Sequence, residues 1–194
     1  LVRAFLCRHG IAEMEADANL VLRDIPPASI WHPTALAFLG ISLLFGDDPE
    51  KAEQVFEQTA EEAGGSGAIY PGVIAHSELA LLALERGDGE KAEADLAAAR
   101  ALLENQPLEE YVLAAIYLAA SAQAAFARGQ AATARELLVR ATRLRPQLTH
   151  AVPWFGVHTS LELARTHFAL GDIEGARTLC REAFDVISQR PELG

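Results

Sequence analysis

The chain has 194 residues, 51% of them hydrophobic but only 7% aromatic, so it can bury a sizeable core and must fill it with Ala and Leu, as close-packed helices do. Its 27 acidic residues against 16 basic ones give a net charge of −11 and a pI near 4.9; such a surface repels phosphate and argues against contact of this segment with DNA, RNA or an anionic membrane. No apolar run reaches the ~18–20 residues that cross a bilayer, LVRAFLCRHG is not a secretory leader, and Cys7 and Cys180 lack the spacing of a disulfide framework, so a cytoplasmic location is expected.

In chain order, the pattern predicts ten helices paired as five hairpins. Leu1–His9 is ended by Gly10 as a C-terminal cap, and Ile11–Asp24 is stopped by Pro26 and Pro27. Ser29 is placed to cap Ile30–Phe45. Asp47, Asp48 and Pro49 restart a helix that runs to about Ala63, because Asp accepts orphan N–H bonds and Pro fits a first turn. GGSG at 64–67 reads as a flexible joint. Helices Ile69–Arg86 and Glu90–Glu104 follow, then Leu108–Arg128 opened by Pro107. Ala131–Leu144 is ended by Pro146, Pro153 starts Trp154–Leu170, and Gly171-Asp172 turns into Ile173–Gln189. No segment alternates with a period of two, so no strand is expected.

Within this order a repeat stands out. Gly46, Gly87, Gly129 and Gly171 are spaced 41, 42 and 42 residues apart, and each precedes a helix with Ala at a set place: Ala52, Ala92, Ala134 and Ala176. Twelve residues before each Ala comes another small residue (Gly40, Ala80, Ala122, Ala164), and four after it come Phe56, Leu96, Leu138 and Cys180. Small side chains let two helices reach the short end of the ~8–10 Å interaxial range. A period of this size marks stacked units, none of which can bury its apolar face alone. The reading is an all-α, right-handed superhelical solenoid of about five helix–turn–helix hairpins, one domain over residues 1–194. The start at Leu1 and the stop at Gly194 are read as those of a piece of a longer multidomain chain.

These Gly and Ala positions resemble the tetratricopeptide repeat, with longer helices and a period near 42 rather than 34 residues. The GD-x-x-x-A turns, and the segment RATRLRPQLTHAVPWFGVHTSLELARTHFALGDIEGARTLCREAFDVISQRPELG at 140–194, are similar to the repeat domain of large MalT-like regulators of the LuxR type. That resemblance implies a sensor module that binds a small-molecule inducer or a regulatory protein in its concave groove and biases self-association of the full-length chain. The family's P-loop is absent, since no G-x-x-x-x-G-K-[ST] occurs. The alternative is a stand-alone scaffold gripping a peptide or helix of a partner protein.

Catalytic signatures are missing: there is no G-x-S-x-G, H-E-x-x-H, C-x-x-C or G-x-G-x-x-G, so neither an enzyme nor a cofactor is expected. The six histidines are scattered across different repeats with no i, i+4 pair on one helix, which argues against a metal site. Cys180 takes a repeat core position and reads as a buried small hydrophobe. Every first helix of the later hairpins opens with an aromatic (Trp31, Tyr70, Tyr111, Trp154), either capping the core at one rim or facing a ligand. First helices line the concave face of such solenoids, where the register places Leu81, Phe126, Leu161 and Phe168. The candidate recognition groove is Tyr70, Ser77, Tyr111, Gln123, Trp154, His158 and Arg165, with Arg165 either meeting an acidic partner or pairing with Glu162.

Overall fold

A computed structural model describes residues 1–7, 9–104, 112–148 and 152–193, without the side chains of 145–148. Among these residues it is wholly helical, in the order α1 (Val2–Leu6), α2 (Ile11–Asp24), α3 (His32–Phe45), α4 (Pro49–Ser66), α5 (Ile69–Glu85), α6 (Gly89–Leu103), α7 (Ala114–Ala127), α8 (Ala131–Leu148), α9 (Pro153–Ala169) and α10 (Ile173–Gln189), with a 3-10 turn at Pro191–Leu193. Successive pairs form antiparallel hairpins, stacked into a helical solenoid.

The turns explain the repeat. In three hairpins an aspartate caps the second helix, its carboxylate accepting from the backbone N–H three residues on: Asp48 from Lys51, Asp88 from Lys91, Asp172 from Gly175. The residue before the cap must turn left-handed, and Gly87, Gly129 and Gly171 do so at φ of 77°, 75° and 79°. In the first of these turns the left-handed residue is Asp47, at φ 64°, and not Gly46, whose φ is −81°. Counted from Asp47, the Ala stands five residues on in all four hairpins.

Small residues sit where the helices cross. Gly40, Ala80 and Ala122 are buried, as are Ala52, Ala92 and Ala134, and a Cβ on Gly40 would lie 2.5 Å from the Phe56 ring. The odd-numbered helices α3, α5, α7 and α9 are buried on most sides, because each packs on its own partner and on its neighbours along the inner wall. The even-numbered helices are outer and amphipathic, with carboxylates and cations on their free faces.

Several predicted boundaries change. GGSG is no joint: Gly64, Gly65 and Ser66 complete the last turn of α4, and Gly67 caps it at φ 70°. The helix α8 continues past Pro146 to Leu148, and α3 begins at His32, two residues later than expected. The predicted start at Leu108 falls among residues outside the description, and α7 begins at Ala114. Cys180 is exposed, not buried. Its counterparts Phe56, Leu96 and Leu138 are buried beneath the hairpin that follows each of them, whereas among the described residues none covers this face of α10.

The superhelix closes tightly on itself. Phe45 of α3 meets Trp154 and His158 of α9, with ring centroids 6.4 and 5.2 Å apart, and Phe38 meets Trp154 at 6.3 Å. Below this contact α1 seals the base: Phe5 packs on Phe38, and its carbonyl accepts the Trp154 indole N–H at 2.9 Å. An ion pair between Arg3 and Asp17 ties α1 to α2, and Arg190 donates to the Cys7 carbonyl at 3.1 Å, joining the two ends of the chain.

Candidate functional site

The helix α9 carries a stripe at alternating steps of four and three residues: Trp154, His158, Leu161, Arg165 and Phe168. Residues so spaced share one face of a helix. Burial falls steadily along the stripe. Trp154 is 3% exposed and His158 9%, Leu161 39%, and Phe168 66%. The lower half is thus covered by α1 and α3, and the upper half opens into a mouth between α3, α5, α7 and α9.

Two joined hollows make this mouth. One, of about 380 Å³, lies between the end of α3, α5 and α9, walled by Phe45, Leu81, Leu161 and the acidic residues Asp47, Glu78, Glu85 and Glu162. The other, of about 340 Å³, lies between α5, α7 and α9, walled by Leu84, Gln123, Phe126 and Thr166. Glu85 and Arg165 belong to both. Phe126 and Leu161 line these hollows and are partly exposed, and Phe168, the next residue of the stripe after Arg165, is exposed beyond them.

A polar cluster forms the floor. His158 Nε2 stands 2.9 and 3.0 Å from the two carboxylate oxygens of Glu78, a side chain that is otherwise sealed from water. The Gln123 amide donates to the Glu162 carboxylate at 2.8 Å and to its backbone carbonyl at 3.2 Å. The Arg165 guanidinium donates to Glu85 at 2.7 Å and to Glu162 at 3.4 Å. Burial alone would push the His158 imidazolium toward neutrality, but the adjacent Glu78 carboxylate, its hydrogen bond and the charge of Glu162 outweigh it and raise the pKa above the usual 6.5. Buried carboxylates persist only when paired and hydrogen-bonded, and these are.

The sequence-predicted site residues divide. Gln123, His158 and Arg165 are brought together through Glu78 and Glu162. Ser77 is fully buried, its hydroxyl donating to the Val73 carbonyl at 2.7 Å. Trp154 lies in the sealed base. Tyr70 is exposed in the first turn of α5, fifteen residues before Glu85, so roughly 22 Å away along the helix axis. Tyr111 lies outside the described residues. Arg165 takes the internal pairing with Glu162 and adds Glu85 to it. Sequence reasoning missed Glu78 and Glu85, whose signal was present: they are the two acidic residues, seven apart and so on one face, of a largely apolar helix.

The tetratricopeptide repeat family matches residues 33–58, 73–94 and 157–182, which fall on the hairpins α3–α4, α5–α6 and α9–α10. No curated protein matches the sequence significantly. The fold is similar to the crystal structure of BtubC (BKLC) from P. vanneervenii, with 16% identity and a TM-score of 0.55 over 92% of this chain and 74% of that one. At that identity the likeness is one of fold, a helical-repeat solenoid.

Proposed function

We propose that this chain is a protein-binding scaffold that docks a peptide or helix of a partner in the open mouth between α3, α5, α7 and α9. One observation carries the reading: the α9 stripe is used to close the molecule in its lower half and left uncovered at Leu161, Arg165 and Phe168. Leu161 and Phe168 are large exposed apolar side chains on one helix face, of the kind that partner helices cover. The tetratricopeptide match supports the same reading, since such repeats generally hold other proteins. A narrower version makes the scaffold the sensor of a MalT-like regulator, responsive to a small-molecule inducer or regulatory protein; its support is the resemblance of residues 140–194.

The test is a selection of displayed random peptides on the chain, followed by fluorescence anisotropy of the enriched sequences. Leu161→Glu and Phe168→Glu should each weaken binding at least about tenfold, and Phe184→Glu on the exposed face of α10 should leave it unchanged. Peptides whose affinity responds to Phe184→Glu and ignores both mouth variants would overturn the proposal.

A further inference from the structure

The mouth is apolar at its rim and acidic at its floor. Asp47, Glu78, Glu85 and Glu162 line it against two cationic groups, His158 and Arg165, both supplied by α9. Glu78 and Glu162 are 1% and 4% exposed, and both are already engaged, Glu78 with His158 and Glu162 with Gln123 and Arg165. Arg165 and Glu85 differ: their side chains are 58% and 57% exposed, and their ion pair stands at the boundary with solvent. Such an exposed pair contributes little to stability and is readily exchanged.

We infer, on the reading of the mouth as a protein-docking site, that the docked segment presents a lysine or arginine between apolar residues, its cation entering between Glu85 and Glu162 in place of Arg165. Charge complementarity selects this occupant. The carboxylates outnumber the cations in the mouth, and the whole chain carries a net charge of −11, a field that draws a basic segment in and repels an acidic one. The rim suits the same chemistry: Leu161 and Phe126 offer apolar surface on which the methylene stem of a long cationic side chain lies while its head stays polar. Arg165 already shows that a guanidinium fits, bridging Glu85 and Glu162 from within. The chain's own arginine therefore holds the place of the partner's and competes with it.

The probes are two synthetic peptides of equal length with the same Leu, Phe and Ala positions, one carrying Arg and the other Glu at the remaining positions. Binding to the full chain is read by fluorescence anisotropy at physiological salt. The Arg peptide should bind and the Glu peptide should not. Glu85→Gln should weaken the Arg peptide by about tenfold, and Glu174→Gln, a control on the outer surface of α10, should not. Arg165→Gln should strengthen binding several-fold, because it removes the internal competitor. Equal binding of both peptides, equal effects of the two Glu variants, or weaker binding in Arg165→Gln would overturn the inference. Self-association of the chain that Leu161→Glu abolishes would place a second copy in the mouth and overturn it as well. Selected peptides that still respond to Leu161→Glu while the charge tests fail would leave the docking reading standing and remove only the basic partner.

Discussion

At the scale of single residues, His158 is where sealing and opening of the groove meet. Facing it are Glu78, Glu162, Arg165 and the ring of Phe45. Desolvation opposes its charge, but Glu78 and Glu162 prevail, so its pKa in the folded chain lies above the value near 6.5 of an unfolded one. A raised pKa means that the folded state holds the proton more tightly. The resulting stabilisation is complete below about pH 6.5 and is lost as pH rises through the folded value. Thermal melts of the wild type and of His158→Gln across that range should therefore converge as pH increases, and a difference independent of pH would show that the imidazole stays neutral beside Glu78. The stripe that holds His158 was legible in the sequence, because its spacing follows directly from helical periodicity. Its carboxylate partner was not: Glu78 lies 80 residues away, and only the curvature of the stack brings the two together.

At the scale of elements, close approach of the two helices of a hairpin sets which positions tolerate a side chain. Gly40 has no room for a methyl group, since its nearest neighbour would be the fully buried Phe56 ring, which has nowhere to go. Gly40→Ala should cost about 1–3 kcal/mol by overpacking, and Ala134→Leu, at a fully buried crossing, should do the same. Urea denaturation of both variants measures this; an unchanged midpoint in either would mean that the crossing is looser than described. The hairpins themselves were readable because each rests on local chemistry, an Asp cap, a left-handed turn and small crossing residues. Two boundaries lie where local signals compete. Gly46 looked like the turn glycine, yet the Asp48 cap requires the residue just before it to turn left-handed, and Asp tolerates that conformation better than most side chains. GGSG looked like a linker, yet helical propensity carried over from α4 and the Gly67 cap extend the helix through it.

At the scale of the whole molecule, the feature beyond the reach of sequence is closure. A solenoid's curvature is the sum of small rotations between hairpins, and no periodicity states their total. Here the total brings α9 against α3, seats α1 on Trp154 and joins Arg190 to the Cys7 carbonyl, so that half of the expected concave groove is core. What remains open is the mouth, with Leu161 and Arg165 on one wall and Glu85 and Phe126 beside them. Hydrogen–deuterium exchange of the full chain, with and without a peptide selected on it, tests the assignment of this mouth as the docking site most directly. Exchange should slow on binding across the upper turns of α9 and the last turns of α5 and α7, and stay unchanged along α10. Slowing confined to α10 or to the outer helices α6 and α8, with α9 untouched, would contradict it.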